Sequence, residues 1–249
     1  MRDNYGHFLK VCNEAPVDLI VNGRKIITFM CTPEDLTPLA IGYLFSRGLI
    51  TSIDEIKNIG ACNEIRKIIA TTKELLSTET HGLGVVLSSA CGTSTKVSDD
   101  FLKRKANDSK LQITVLKLRE MAIKMFKDAA MYQETGGVHC AALVDSNGIL
   151  YQREDIGRHN AVDKIIGHGL INGVDLTHSA IITTGRISSD MILKAVACKV
   201  PIVVSRSIPS SLALEIAESQ GITIVGRIVS NEPFIYSHSQ RVVNRMKAV

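Results

Sequence analysis

The sequence predicts an α/β protein: a C-terminal domain built on a mostly parallel sheet, preceded by a smaller α+β domain. Three observations predict it. From Gly136 onward, short apolar runs alternate with segments of helical spacing, the pattern of strands joined by crossover helices. The runs Ala180–Thr183, Pro201–Val204 and Ile222–Val225 are mostly apolar rather than alternating, as expected where helices cover both faces of a sheet. Upstream, Val17–Val21 and Lys25–Met30 flank Asn22-Gly23-Arg24, a hairpin signal with no crossover helix.

In chain order, Met1–Asn13 reads as a loose start, followed by that first hairpin. Thr32-Pro33-Glu34-Asp35 marks a helix start, and Leu36, Leu39, Ala40, Tyr43 and Leu44 keep helical spacing until about Gly48. Ile53–Ile59 reads as a short second helix, and Ile65–Thr71 and Val85–Ser88 as strands. Ser88–Lys110 has no periodicity and reads as an exposed loop or linker, which places a domain boundary near residue 110. The two domains are then 1–110 and 111–249. Leu116–Met131 has helical apolar spacing. Ala141–Val144 and Ile149–Tyr151 flank Asp145-Ser146-Asn147-Gly148, a second hairpin signal. A helix from Asn160 places Ala161, Val162, Ile165 and Ile166 on one face, and Ser188–Cys198 and Ser210–Ser219 read as further helices.

The 249 residues, 45% hydrophobic and 22% charged, describe an ordinary globular chain rather than a disordered one. No apolar run reaches membrane-spanning length and the first ten residues lack a signal-peptide core, so a cytoplasmic protein is expected. A net charge of +4 is too mild to argue for nucleic acid, so anion binding must come from local clustering. The six cysteines are scattered with no Cys-x-x-Cys pair, which argues against a zinc ribbon or a disulfide scaffold.

Arg153-Glu154-Asp155-Ile156-Gly157-Arg158-His159-Asn160 crowds titratable side chains into one strand-to-helix junction. Such a junction presents free backbone N–H groups and the positive end of a helix dipole to an anion. Thr183-Thr184-Gly185-Arg186 and Ser205-Arg206-Ser207 end two predicted strands, where ligands of open α/β sheets bind. If these junctions share one sheet edge, Arg158, His159, Arg186 and Arg206 form a phosphate or nucleotide pocket. The alternative is surface arginines and helix caps. Glu154 and Asp155 are expected to cap the helix and pair with arginines, acid–base work being the alternative.

Cys91 lies among small polar residues with Lys96 nearby, where a solvated thiol gains thiolate character. A spare loop cysteine is the alternative. Cys140, beside His139, is expected to pack as a small hydrophobe rather than bind metal.

The motifs TGGVH, REDIGRHNAVDKIIG, TTGRISSDM and SRSIPSSLALEIAE, in that order, resemble the FdhD/NarQ family of formate dehydrogenase accessory sulfurtransferases. The resemblance runs from about Glu14 to Tyr236. It implies a cytidine-deaminase-like, three-layer α/β/α C-terminal domain. It also implies a bound cargo, the molybdenum bis-molybdopterin guanine dinucleotide cofactor. The partners it implies are a cysteine desulfurase and formate dehydrogenase; a homodimer is a further possibility that the sequence itself does not fix. In the family, a Cys-Gly-x-Cys-Gly motif carries persulfide sulfur. Cys91 and Gly92 match its first half, while Ser94 and Thr95 replace the second. A two-cysteine relay in this loop is thereby excluded, leaving a single-cysteine carrier at Cys91 or a cofactor chaperone without covalent chemistry. Gly226-Arg227-Ile228 departs from the family's Gly-Phe-x-Arg, leaving Arg227 as the available cation. A deaminase activity is rejected, because His159-Asn160-Ala161 lacks the required Glu and no Cys-x-x-Cys is present.

Overall fold

The structure is a computed structural model that describes residues 10–75, 83–87, 93–97 and 106–243. The N-terminal unit comprises β1 (Ala15–Val21), β2 (Arg24–Cys31), helix α1 (Leu36–Ser46), β3 (Ile56–Cys62) and β4 (Lys67–Thr72). Its sheet runs in the order β2-β1-β4-β3. The β1–β2 reversal is made by Asn22 and Gly23, both with positive φ, as an Asn-Gly turn requires. One face of the sheet packs Val17, Leu19, Phe29 and Ile68 against Leu39, Ala40 and Leu44 of α1.

Two strands, β5 (Leu83–Leu87) and β6 (Thr93–Val97), pair antiparallel. The short β7 (Ile113–Thr114) leads into α2 (Val115–Asp128) and α3 (Ala130–Thr135). Then follow β8 (His139–Val144), β9 (Ile149–Asp155), α4 (Arg158–Ile171), β10 (Ala180–Thr183), α5 (Ser189–Ala197) and β11 (Ile202–Ser205). The chain continues through α6 (Ser211–Gln220), β12 (Thr223–Gly226) and β13 (Phe234–Ser237) to β14 (Val242–Val243), which pairs with β7.

The large sheet has the order β13-β12-β11-β10-β8-β9. Alternate residues of its strands face opposite layers, the two-residue period of a pleated strand. Ala141, Leu143, Ile181, Val203 and Ile224 meet α4, α5 and α6 on one side. Cys140, Ala142, Ile182, Val204 and Val225 meet α2 on the other. The result is a three-layer α/β/α unit.

Several expectations are corrected. The sheet is mixed: β10–β11 and β11–β12 are parallel, whereas β8–β9, β8–β10 and β12–β13 are antiparallel. The Asn147-Gly148 hairpin enforces the first antiparallel pair. Ile53–Ile59 is not a helix; Ile53–Glu55 forms one 3-10 turn with a Ser52–Glu55 capping box, and Ile56 begins β3. Ile53, Ile56 and Ile59 fit a helical period, but the chain from Ile56 pairs with β4. Thr93–Val97, read as loop, is a strand. Leu116–Met131 is interrupted at Ala129, whose ψ of 82° leaves the helical region.

The N-terminal unit is joined to the C-terminal unit through α1 and α4, which meet backbone to backbone. A Cβ on Gly42 would overlap the carbonyl of Asp163, and one on Gly167 would overlap the carbonyl of Pro38. Gly42→Ala or Gly167→Ala is therefore expected to destabilise the fold by about 3 kcal/mol, as overpacking of a closed contact does. Gly60→Ala, where the added methyl meets open space, is the control. Chemical unfolding of the three variants measures the difference.

Candidate functional site

The register places the carboxyl ends of β9, β10, β11 and β12 on one edge of the large sheet. His139 pairs with Asp155, Thr183 with Ala141 and with Ser205, and Val204 with Val225. The loops beyond these ends are bonded to one another. The Thr184 N–H donates to the Cys140 carbonyl (3.0 Å), Arg206 to Thr183 (3.2 Å) and Arg227 to Ser207 (2.9 Å). The Ser205 hydroxyl donates to the Gly185 carbonyl at 2.6 Å. The junctions carrying Arg158, Arg186, Arg206 and Arg227 thus share one edge.

Their side chains do not all converge. Arg158 packs across Gly185, where a Cβ would approach its Cδ to 2.9 Å, so this glycine makes room for the guanidinium stem. Arg186 is exposed. Arg206 turns toward the α2–α3 side, 5.5 Å from the Phe126 ring centroid, with its guanidinium donating to the Tyr132 hydroxyl at 3.2 Å. Arg227 holds a positive φ of 52° and lies 5.8 Å from the centroid of the half-exposed Phe234 ring. His159 leaves the edge altogether and lines a cavity between the two units.

The two carboxylates of the junction have separate structural tasks. Glu154 accepts the backbone N–H groups of Met131 (3.0 Å) and Tyr132 (2.7 Å), so it caps α3 rather than the helix that follows it. Asp155 is fully buried and pairs with Lys164 at 2.7 Å, both side chains being excluded from solvent. It also accepts from the backbone of Thr32 (3.2 Å) and Gly157 (2.8 Å) and from the Asn160 amide (3.0 Å). The expected pairing with arginines is corrected for Asp155: the cation bonded to it is a lysine, Lys164, in the second turn of α4.

Because Asp155 is occupied in this way, α4 starts at Gly157 with no side-chain cap, and α5 starts at Ser188 with none either. Neither N-cap side chain bonds the first turn of its helix, and the dipoles of the two helices favour an anion at this edge. The Ser188 hydroxyl is buried there without a hydrogen-bond partner among the described residues. The chemistry of the edge is thus phosphate-compatible: uncapped helix N-termini, an unsatisfied hydroxyl and bordering guanidinium groups.

Burial of His159 pushes its imidazole down from 6.5 to about 3, helped by Lys194, Arg158, Arg47 and His139 nearby. His139 is also lowered, by burial first and then by Arg158, and its Nδ1 lies 3.0 Å from the Thr184 hydroxyl. Cys140 is a core residue, its thiol pushed up to about 12 by burial, which agrees with packing rather than reactivity. Cys91 and Gly92 lie outside the described residues; the strands flanking that segment are β5 and β6. No three of His, Cys, Asp and Glu gather as a metal-binding set among the described residues. No helix among them is long and apolar enough to cross a membrane.

Sequence reasoning missed Lys164, Lys194 and Asp163. Lys194 bonds both oxygens of Asp163 (2.7 and 2.8 Å) and the Ser46 hydroxyl of α1 (3.1 Å), all buried. The signal was present: Asp163 and Lys164 interrupt an otherwise apolar helix face from Ala161 to Ile166.

The family model described as FdhD/NarQ family matches residues 12–243. The sulfur carrier protein FdhD of Bacillus subtilis (strain 168) is 35% identical over 240 residues, covering 94% of this chain and 90% of that protein. The protein of the same name from Listeria innocua is 36% identical over 239 residues, covering 93% and 91%. The crystal structure of a candidate formate dehydrogenase accessory protein from Desulfotalea psychrophila superposes with a TM-score of 0.77 at 28% identity. It covers 92% of this chain and 90% of that one.

Two outcomes are expected. Asp155→Ala leaves the Lys164 ammonium buried and unpaired and should cost about 3–5 kcal/mol in urea unfolding. His159 binds a proton in the unfolded chain below pH 6.5 but not in the folded chain until about 3. Stability attributable to it therefore falls as the pH drops through that window. Between pH 7 and 5 the wild type should lose about 2 kcal/mol more than His159→Phe, read from unfolding midpoints at the two pH values.

Proposed function

The chain belongs to the FdhD/NarQ family, and on that premise we propose a specific sulfur-transfer role for it. In this reading it accepts persulfide sulfur from a cysteine desulfurase and passes it to molybdenum bis-molybdopterin guanine dinucleotide, for the benefit of formate dehydrogenase. The observation that carries the reading is the strand edge itself. Uncapped N-termini of α4 and α5, the buried Ser188 hydroxyl and Arg158 against Gly185 suit the phosphates of a dinucleotide cargo. Arg186, Arg206 and Arg227 border the same edge, and the exposed Phe234 ring beside Arg227 offers a stacking surface for a base.

The sulfur chemistry falls to Cys91. Its thiolate attacks the outer sulfur of the desulfurase persulfide. A new S–S bond forms as the donor's S–S bond breaks and the donor cysteine leaves as thiolate. In the second step the outer sulfur departs and Cys91 returns as thiolate. Reduction of that sulfur to sulfide takes two electrons, supplied by a pair of thiols that are oxidised to a disulfide. We place this exchange in the cytoplasm, where thiols stay reduced.

One observation favours a second reading, a cofactor chaperone without covalent chemistry. Ser94 and Thr95 occupy the family's second Cys-Gly position and lie on β6. Intact-protein mass after incubation with a cysteine desulfurase and cysteine separates the two. The carrier should gain about 32 Da, reversed by reductant and absent in Cys91→Ala. If the wild type takes up nothing while a two-cysteine relative loads beside it, the carrier reading is lost and the chaperone remains.

A further inference from the structure

A cavity of about 550 Å³, within the size range of small-molecule sites, lies at the far end of the large sheet from Arg158 and Arg186. Thr177, Lys199 and Ile222 of its lining shortly precede β10, β11 and β12, so it opens at the amino ends of these parallel strands. Residues 106–110 form one wall, and the ends of α5 and α6 form the other.

Buried bonds fix the first wall. The Arg241 guanidinium, 3% exposed, donates to the carbonyls of Asn107 (2.7 Å), Ser109 (3.0 Å) and Gly221 (2.8 Å) and to the Thr223 hydroxyl (3.2 Å). The Ser109 hydroxyl donates to the Thr177 carbonyl at 2.7 Å. The cavity is thereby preformed, which spares a ligand the cost of ordering its walls.

Charge and lining define what it can take. The carboxyl ends of two helices by themselves favour a cation. Here their last carbonyls are occupied: Gln220 accepts the Asn107 N–H (2.9 Å), Lys199 accepts the Asn107 amide (2.9 Å) and Gly221 accepts the buried guanidinium. Asp108 is the one carboxylate of the lining, and it offsets part of the penalty that burial places on the Arg241 charge. His178 is paired with Asp175 at 2.8 Å. Two cations are left. Lys110 and Lys199 are exposed, and neither ammonium has a hydrogen bond or ion pair among the described residues. Val196 and the buried Ile222 supply an apolar floor, to which the lysine stems add.

We propose that this cavity is a binding site for a small amphipathic carboxylate. Its aliphatic body lies on Val196 and Ile222, and its carboxylate sits between the Lys110 and Lys199 ammonium groups. The two cations supply charge-assisted hydrogen bonds, and the body gains by leaving water. The site uses neither Cys91 nor any group at the opposite end of the sheet, so it goes beyond the sulfur-carrier reading and stands or falls separately.

Calorimetric titration of the full chain with octanoate, octan-1-ol and octylammonium tests it. Octanoate should bind at a single site with a dissociation constant below about 1 mM, and about tenfold or more tightly than the alcohol or the ammonium. Lys199 holds a positive φ of 56°, which glycine adopts readily, so Lys199→Gly removes one ammonium and keeps the backbone. Combined with Lys110→Ala, it should weaken octanoate binding about tenfold or more, as loss of charge-assisted bonds does. The proposal is overturned if octanoate does not bind, if it binds at many equivalent sites, if octylammonium binds as tightly, or if the double variant binds octanoate undiminished.

Discussion

A lysine ammonium with no water around it is the constraint on which the rest of this structure depends. Lys164 is fully buried, and its pairing with Asp155 fixes the turn between β9 and α4. The same ammonium donates to the carbonyls of Thr32 (3.0 Å) and Glu154 (3.3 Å), so its proton positions are filled by groups from both units. A buried ion pair is tolerated only when such extra bonds satisfy the remaining donors and acceptors. Here they come from Thr32 at the end of β2, whose N–H reaches Asp155 and whose hydroxyl accepts from Ile156. The N-terminal unit is therefore part of the solvation shell of this charge.

From that pair the site geometry unfolds in sequence. Asp155 accepts the N–H of Gly157 at the start of α4, and the N-cap position itself supplies no side-chain cap. Arg158 goes one way, against Gly185, and His159 goes the other, into the seam. Two further links keep the units in register: Lys194 with Asp163 and Ser46, and Asp35 with Arg153 (2.9 Å) and His168 (3.0 Å). The carboxyl of Asp35 is held below its ordinary range, mainly by the His168 hydrogen bond. A junction that reads as a cluster of reactive side chains is in large part a joint.

Much of the architecture was legible because it rests on local chemistry. Asn22-Gly23 and Asn147-Gly148 announced their reversals, and the apolar strands from Ala180 to Val225 announced an α/β layer with helices on both faces. The junctions at Arg158, Arg186 and Arg206 could be assigned to strand ends from the same pattern. What was not legible depends on partners far away in sequence. Glu154 caps α3, whose first-turn donors precede it by more than twenty residues, and no spacing within the motif reveals that. Ile53–Ile59 misleads because three isoleucines at intervals of three suit a helix, whereas pairing with β4 decides the matter. Lys164 and Lys194 resemble surface residues until the unit opposite them is in place.

The contact of α1 with α4 has a consequence for anyone who would dissect the chain. Gly42 and Gly167 let two main chains touch, and such a contact has no side chain that can rearrange to heal a cut. A C-terminal fragment made alone would show solvent a bare helical groove and would strip Lys164 of the Thr32 carbonyl. An N-terminal fragment would expose the helix that normally lies there. The two units have separate apolar cores, yet neither is an autonomous module, and swapping one half between relatives would succeed only if both faces of the joint travelled together.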